Sequence, residues 1–535
     1  NGARSASSTV TIAFAKDVTR IDPATVKLRL NGKKCSLSAY TTKWDGAKRA
    51  LSWDVLNAWR VTREAFPDGK DMTFRLEGVQ DFAGNTLTPY EWTWHVDHSQ
   101  DKTGPGPPRL LSYTHDFRYY DHFTDATGYW RPYGRGNSAE VSTVVDPDTN
   151  DSCLQVSRAE KGRVFSAYRY RGNLGLSDYP LMAFDCKIVP GARVDVLLYI
   201  EKKWRPVRMT GPANGDEIGR VEEVKDDGKW RHIAVDIGAI IKEEFKDAEE
   251  LPGVRMVGFG DVSGKDDGGM TGPQLFIDNF AFLGAASPVP VLSCLAADIT
   301  GVQGFEISVD RESRGVPVGE MSTLARQAPL AAVDGPGVWF IHARAQDGAG
   351  NWGATAHYPY YCPNPVPRPS ADGIEADGTW QVVAERRRSR SSLQKVSSVS
   401  GTNRLLVAEL YGAARRTVRL RADLPTPVAL TDEMVLAADF YHHADEPIEV
   451  SAYLTPKAGG KSIKSEPVSL SPKDWHRAIR FRFPKGQIPQ GVGTVKRMVG
   501  QIDFALTPQA KVRDAFLVDS VAFASEKAPV PATPK

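Results

Sequence analysis

Cysteine is scarce in this chain, with five residues among 535. That number is too small for a scaffold built on disulfides, and no CxxC pair or cysteine–histidine cluster suggests a zinc site. Cys294 with Cys362, and Cys153 with Cys186, could form disulfides in an oxidising compartment. Alternatively, all of them are small buried hydrophobic residues.

Long apolar runs and an excess of charge of one sign are also missing. No segment reaches the roughly 20 uncharged apolar residues of a membrane span, so we expect no membrane insertion. The 67 basic and 65 acidic residues nearly cancel, which gives no general attraction to nucleic acid.

Catalytic motifs are absent as well. The sequence has no GxSxG, HExxH, Walker A or GxGxxG element in a fitting context, so nothing indicates a serine nucleophile, a zinc hydrolase or a nucleotide site. His442 and His443 are adjacent, and neighbours on a strand point to opposite faces, so they cannot ligate one ion. We therefore predict that the chain is not an enzyme.

Glycine and proline are abundant, with 47 and 36 residues. Proline-rich stretches at 101–108, 285–290 and 363–369 are typical of linkers and divide the chain into modules of alternating length. Period-two patterns, such as the apolar residues at 194, 196, 198 and 200, indicate strands, whereas helical periodicity is rare. We predict an all-β, multidomain fold of β-sandwiches, with modules at 1–98, 109–284, 291–362 and 371–525 and a disordered tail at 526–535.

Both short modules contain the turn sequence D-x-A-G-N, at 81–85 and 347–351. Gly and Asn tolerate the left-handed backbone of a tight hairpin, and the Asp side chain can close the turn onto backbone amides. Together with the strand at 92–97, this turn makes the first short module resemble the Ig-like domains of bacterial surface and secreted proteins. The stretch 337–353 resembles a fibronectin-like variant, and both resemblances imply Ig-like sandwiches.

The long modules match each other in order and at a nearly constant offset, which indicates a duplicated unit of one short and one long module. The matches run from Trp130 with Trp380 to Asp278 with Asp519. An opening Asp116-Phe117, a Trp-led strand and a closing FIDNFAF strand resemble the jelly-roll sandwich of galactose-binding-like domains and carbohydrate-binding modules. This resemblance implies jelly-roll sandwiches that bind carbohydrate in extracellular bacterial proteins.

The same resemblance implies a structural calcium ion, because an aspartate on the last strand of such modules often joins an acidic residue of the first. It nominates Asp278 with Asp116, and Asp519 with Glu375, since hard cations take carboxylate oxygens. The alternatives are that these aspartates end strands or cap turns, or that the acidic, glycine-rich segment 261–267 is the cation loop.

Sugar-binding modules stack aromatic rings on pyranose rings. Tyr168 and Tyr170 lie two positions apart and share one strand face, while Tyr199 faces away from an apolar stripe. Trp204 lies in a turn beside three cationic residues, and burying it would desolvate them. We expect these four residues to bind a polysaccharide; the alternative is that they pack in the core.

The C-terminal part is basic, with 25 Lys and Arg against 18 Asp and Glu in residues 366–535. The run RRRSR at 386–390 would place arginine on both faces of a strand, which predicts an exposed loop or edge. Arg386 and Arg388 could hold the carboxylate or sulfate groups of an acidic polysaccharide, or simply be solvated. Nucleic acid is disfavoured, because no aromatic residues interleave with the run.

These observations favour a non-catalytic, extracellular or cell-surface region that binds glycan or mediates adhesion. One alternative is a structural surface protein, such as a stalk, filament or envelope-layer subunit, whose modules self-associate. Another is an accessory region of a larger glycan-degrading enzyme. An exposed aromatic platform would favour the first hypothesis, and large apolar patches at both ends of the molecule would favour the second.

Overall fold

The computed structural model describes residues 9–14, 21–22, 25–35, 42–45, 50–54, 68–81, 83–112, 117–121, 123, 130–134, 136–147, 151–161, 163–176, 178–213, 215–248, 252–263, 271–296, 298, 300–319, 321–322, 328–365, 379–384, 392–398, 404–412, 417–429, 434–457, 460–484, 498–509 and 512–525. These residues form a multidomain protein that is almost entirely β, as the sequence predicts. In this described part, no helix has the length and apolar character needed to cross a membrane.

An N-terminal module (9–100) contains one four-stranded sheet, in the order β4-β3-β7-β9, and two smaller sheets, β1-β6-β5 and β2-β8. Its core packs Leu28, Leu30 and Phe74 beneath the rings of Trp92 and Trp94. The strands are β1 (Thr9–Ala13), β2 (Ile21–Asp22), β3 (Lys27–Leu30), β4 (Lys33–Cys35), β5 (Thr42–Asp45), β6 (Ala50–Asp54), β7 (Asp71–Glu77), β8 (Gln80–Asp81) and β9 (Tyr90–His95).

The next sandwich (117–283), called the first large sandwich, pairs two six-stranded sheets. Its inner sheet has the order β13-β14-β22-β16-β20, with β11 beside β22, and its outer sheet has the order β12-β15-β21-β17-β18-β19. The elements are β11 (Phe117–Asp121), β12 (Arg131–Pro132), β13 (Ala139–Asp146), β14 (Asp151–Arg158), β15 (Phe165–Leu174), β16 (Leu181–Ile188), β17 (Asp195–Ile200), β18 (Lys203–Arg208), β19 (Gly219–Arg220), β20 (Arg231–Asp236), α1 (Ile237–Glu244), β21 (Val254–Asp261) and β22 (Gly272–Leu283).

The second large sandwich (379–525) has an inner sheet in the order β29-β30-β38-β32-β36. Its outer sheet has the order β28-β31-β37-β33-β34, with β35 beside β33. The strands are β28 (Thr379–Ala384), β29 (Ser392–Ser397), β30 (Arg404–Gly412), β31 (Val418–Ala429), β32 (Met434–His442), β33 (Ile448–Pro456), β34 (Ile463–Lys464), β35 (Val468–Leu470), β36 (Trp475–Phe481), β37 (Met498–Pro508) and β38 (Val512–Ser525).

The two large sandwiches have the same strand order in both sheets. Individual residues also correspond. Asp185 pairs with Asp278 in the first large sandwich, and Asp439 pairs with Asp519 in the second, each beside a register shift. The tryptophans also match, because Trp130 stacks on Phe259 and Trp380 on Phe504, inside their respective cores.

The central sandwich combines residues 101–112 with 285–362. Its sheets are β10-β23-β25 and β24-β26-β27. The sequence analysis placed β10 in the first long module, but β10 is antiparallel to β23, so the first large sandwich is inserted between two strands of the central one. The bounds are β10 (Arg109–Ser112), β23 (Val291–Leu295), β24 (Val302–Asp310), β25 (Ala328–Pro329), β26 (Gly337–Asp347) and β27 (Ala356–Cys362).

The three C-terminal sandwiches stack as six layers. The inner sheet of the first large sandwich packs Ala183, Ala281 and Leu283 against Val338 and Tyr361, on the outer side of the β24-β26-β27 sheet. On the opposite side of the central sandwich, the inner sheet of the second large sandwich covers β23; this contact joins Leu405, Val407, Tyr441 and Leu517 to Val289, Val291 and Ala332. The two outer sheets therefore lie at opposite ends of the stack.

The D-x-A-G-N turns form as predicted. The N–H of Asn85 donates to Asp81 Oδ1 (2.9 Å) and the N–H of Asn351 to Asp347 Oδ1 (2.7 Å). Gly84 and Gly350 adopt left-handed φ values of 87° and 90°, as the hairpin requires. The cysteines at 153, 186, 294 and 362 are buried and not in disulfides, so neither of the two possible pairings forms, and these four agree with the alternative of small buried hydrophobic residues.

Candidate functional site

The outward face of the first outer sheet brings together most of the predicted sugar-binding residues. Tyr199 alternates with the core residues Leu198 and Ile200 on β17, so its ring lies on the side away from the core. Antiparallel pairing sets Tyr199 opposite Trp204 on β18. We call this surface, formed by Tyr168, Tyr199, Trp204 and Tyr133, the first end face.

Tyr133 joins the rings of this face. Its ring centroid lies 5.0 Å from that of Tyr168 and 5.1 Å from that of Trp204, both edge-on. The ring centroids of Tyr199 and Trp204 lie 5.2 Å apart. Sequence reasoning missed Tyr133, because it follows the two-residue strand β12 and reaches Trp204 only through the folded sheet.

Trp204 differs from its expected setting. It lies on β18 rather than in the preceding turn, and it is half-buried beneath Tyr133 and Tyr199. Its indole N–H is buried without a hydrogen-bond acceptor in the described part of the structure. The ring is thus held edge-on by neighbouring aromatic rings. Of its three cationic neighbours, Lys202 and Lys203 remain exposed, whereas Arg205 is half-buried and lies 3.4 Å from Glu244.

The first end face lacks a side chain at one position of its floor, Gly258, whereas Met256 lies beside Tyr199 in the neighbouring row. Gly258 pairs with Tyr168 on one side and with Leu197 on the other, so no side chain rises between them. Arg131 extends the face, because its Nε donates to the Tyr168 hydroxyl (2.8 Å). Tyr170 pairs with Met256 in the next row of the sheet.

A depression of about 470 Å³ adjoins this face at the β17–β18 turn. Its lining combines the charged residues Glu201, Lys202 and Arg255 with Pro252 and Gly253. The aromatic rings and the charged depression together offer apolar contact and hydrogen bonds side by side, which is the combination that carbohydrate recognition needs.

A buried ionic cluster supports the far end of the same sheet. Arg193 Nη2 lies 3.5 Å from Asp195 Oδ2 and from Glu217 Oε1. Burial raises the pKa of Asp195 to about 7, although Arg193 opposes the shift. Asp195 is 0% exposed, so this carboxyl group has no access to a substrate and acts as a structural element.

The closing-strand aspartates lie in different surroundings. Asp278 contacts the central sandwich, because Arg314 Nη2 donates to Asp278 Oδ2 (3.1 Å). Asp185 meets both Arg314 Nε (3.3 Å) and His232 Nδ1 (2.8 Å). Burial raises the pKa of Asp185, but His232 and Arg314 lower it by more, so it stays below its usual value.

Asp519 Oδ1 accepts from the N–H of Ser520 (2.7 Å), as Asp278 Oδ1 accepts from the N–H of Asn279 (2.8 Å). The proposed partners Asp116 and Glu375 lie outside the described residues. The calcium assignment for both pairs therefore stays a prediction.

A different carboxylate group satisfies the geometry of a cation site. Asp101, Asp298 and Asp347 are all buried, and each offers an oxygen within 4.8 Å of the others. The Thr300 N–H and hydroxyl both donate to Asp298 Oδ1 (2.9 Å each). Sequence reasoning missed this group, because its three members come from a linker, a loop and a turn that are far apart in the chain.

Two further sequence predictions concern basic and histidine residues. Arg386 and Arg388 lie outside the described residues, so their role stays a prediction. His442 and His443 are buried and separately bonded: His442 Nε2 donates to the Leu470 carbonyl (3.1 Å), and His443 Nδ1 contacts the Tyr441 hydroxyl (3.1 Å). Burial lowers the pKa of His442 to about 4 and that of His443 to about 3.

No protein-family model and no curated protein matches the chain. Similar solved structures include carbohydrate-binding modules of the β-sandwich superfamily with promiscuous specificity (11% identity, 45% of this chain, 93% of that one, TM-score 0.24). A second is the family 11 carbohydrate-binding module of a Clostridium thermocellum cellulosomal cellulase (15% identity, 29% of this chain, 92% of that one, TM-score 0.22). A third is a tandem of family 22 modules from Paenibacillus barcinonensis (12% identity, 78% of this chain, 100% of that one, TM-score 0.20). These three neighbours are carbohydrate-binding modules, and at these identities and TM-scores the likeness assigns no function to this chain.

Proposed function

We propose that the chain is a non-catalytic, extracellular region that binds a polysaccharide at the first end face. The observation that carries the proposal is the contact of four half-buried rings, Tyr133, Tyr168, Tyr199 and Trp204, on one outward sheet face. Such rings offer the flat apolar surface on which pyranose rings stack. The rings themselves are uncharged, and the cationic residues Arg131, Lys202 and Lys203 lie at the edges of the face.

The arrangement of the modules supports the same function. The inner sheets of both large sandwiches are covered by the central sandwich, whereas the outward faces of the outer sheets are not engaged by it. In the proposal, a duplicated unit of one Ig-like and one large sandwich presents these faces, and the Ig-like modules act as spacers.

The test is a binding assay of the full chain with neutral polysaccharides such as agarose, xylan and β-glucan. Each ring contact is worth about 1 to 2 kcal/mol, so Tyr199→Ala with Trp204→Ala should weaken binding roughly ten- to a thousandfold. Tyr90→Ala is the matched control, because Tyr90 is 60% exposed on the N-terminal module, away from this face. Equal retention of the double variant and the wild type would refute the proposal.

The structural-protein alternative is less well supported. The exposed large apolar residues of the described part are Tyr90, Val145, Val316, Val318 and Met321. The last three share one segment of the central sandwich, and none of the five belongs to either outer sheet. End-to-end packing of a stalk or filament needs apolar patches at the ends. Self-association stays a prediction, which sedimentation at several concentrations tests.

Structural calcium is a separate part of the proposal. If the ion binds Asp278 with Asp116, a chelator should lower the melting temperature and Asp278→Ala should remove that sensitivity, because an ion bound only by the folded state stabilises it. Sensitivity that survives Asp278→Ala and disappears in Asp347→Asn would assign the ion to the Asp101, Asp298 and Asp347 group.

A further inference from the structure

The second large sandwich has its own outward sheet face, at the opposite end of the stack. Because both outer sheets share strand order and pairing, residues of the two faces can be matched through the register. The central strand keeps its tyrosine, while the other positions change from aromatic to basic. The equivalent residues are Tyr199 and Tyr453, Trp204 and Lys464, Tyr168 and Arg419, and Tyr170 and Arg421.

These basic groups surround the one remaining aromatic ring. The Arg419 guanidinium carbon lies 4.6 Å from the Tyr453 ring centroid, and Lys464 Nζ lies 5.7 Å from it. The ring thus fixes two cations on one surface through cation–π attraction. We call this surface, formed by Arg419, Tyr453 and Lys464, the second end face.

The acidic groups nearby do not cancel this charge. Asp503 is buried and takes two bonds from Arg421, at 2.7 and 3.0 Å, so that pair is internally neutral. Asp423 and Glu449 are exposed on the outer rows of the face. Lys457 and Lys461, both exposed, flank the face between β33 and β34, and Glu466 is exposed after β34. Among the described residues of the face and its flanks, the four cations Arg419, Lys464, Lys457 and Lys461 outnumber the three exposed acids Asp423, Glu449 and Glu466.

We propose that the second end face is a separate binding site for an acidic polysaccharide, one that carries carboxylate or sulfate groups. The guanidinium of Arg419 and the ammonium of Lys464 pair with the oxyanions, and the edge of Tyr453 contacts the sugar ring between them. Nucleic acid fits less well, because a single ring flanked by cations offers no row of stacking platforms for bases. The proposal goes beyond the proposed function, since it concerns a different face and ligand class.

The experiment measures binding of the full chain to alginate, dextran sulfate and uncharged dextran at low ionic strength. Arg419→Gln with Lys464→Gln should weaken binding to the acidic polymers about tenfold, and added salt should reduce the difference. Lys225→Gln with Lys229→Gln removes the same charge from exposed sites elsewhere and should leave binding unchanged. Comparing alginate, which carries carboxylates, with dextran sulfate identifies the preferred oxyanion, and binding of either polymer supports the proposal.

The proposal fails if the wild type binds neither acidic polymer, or if the Arg419 and Lys464 variant binds them as tightly as the wild type does. It also fails if double-stranded DNA of equal charge competes as well as alginate or dextran sulfate, which would mark a general polyanion site. The variant at Tyr199 and Trp204 separates this result from the first end face, because it should lose neutral glycans and retain acidic ones.

Discussion

Asp298 is buried together with Asp101 and Asp347, and no cationic side chain pairs with these carboxylates among the described residues. Burial raises the pKa of Asp298 to about 6, bonds from Thr300 oppose the shift, and the charges of Asp101 and Asp347 add to it. A folded-state pKa above the unfolded value means that the folded state holds the proton more tightly. Stability should therefore fall as the pH rises from about 4 to 6.

Asp298→Asn should raise the stability of the central sandwich at pH 7 in the presence of chelator. The gain in the free energy of unfolding is at most about 3 kcal/mol, because folding raises the pKa of Asp298 by roughly two units. Asparagine keeps an oxygen for the two Thr300 bonds, and the gain should vanish near pH 4, where the aspartate is neutral. Thermal unfolding at both pH values measures the difference; a less stable variant at pH 7 would contradict the prediction.

At the scale of elements, the closing strands β22 and β38 share a local distortion. Asn279 and Ser520 have left-handed φ values of 49° and 50°, directly after Asp278 and Asp519. A residue with a Cβ atom is strained in this region by about 1 to 2 kcal/mol. The distortion adds one residue to the alternation, so that the core residues Leu275 and Ile277 are followed by Phe280 and Phe282 in β22. In β38, Phe516 and Val518 are followed by Val521 and Phe523.

Ser520→Gly should stabilise the second large sandwich by about 0.5 to 1 kcal/mol, because glycine relieves the left-handed strain. Ser520→Val should destabilise it by more than 1 kcal/mol, since a β-branched residue fits this conformation worst. Scanning calorimetry separates the transition of this sandwich from the others. If the wild type, Ser520→Gly and Ser520→Val had the same melting temperature, the backbone at this position would not be strained.

The strands themselves were predictable, because period-two alternation identifies a strand and its buried face. The pattern around Tyr199 therefore placed its ring outward, and the hairpin then set it opposite Trp204. The contact of Tyr133 was not predictable, nor was the place of β10, since both depend on pairings between distant parts of the chain. The basic character of the second end face became visible only once the register aligned the two outer sheets.

At the scale of the whole molecule, Arg314 of the central sandwich holds the first large sandwich. Asp185 and Asp278, each with a side chain only 1% exposed, meet its guanidinium, which also lies 4.0 Å from the Trp230 ring. The contact is therefore electrostatic at its centre and apolar at its edge, where Ala183, Ala281 and Leu283 pack. Removing the guanidinium would leave buried Asp278 without this cation, and Asp185 with His232 alone.

Arg314→Ala should destabilise the attachment of the first large sandwich by about 3 kcal/mol, because buried Asp278 loses this cation and buried Asp185 keeps only His232. Adding Asp278→Asn should recover part of the loss, since it removes one of the unpaired charges. Calorimetry and the rate of limited proteolysis of the full chain report the separation. Additive effects of the two changes would show that the residues act independently.

The six-layer stack sets how the two end faces can be used together. With about 10 Å between layers, the outer sheets are separated by about 50 Å and face in opposite directions. A single flat fibre cannot contact both end faces. If both are occupied, the protein would therefore cross-link two different polymers rather than bind one polymer more tightly. A neutral gel coated with the chain should then capture soluble alginate, and loss of either face should abolish capture. The inserted topology would make this protein a rigid spacer between two materials of a composite matrix.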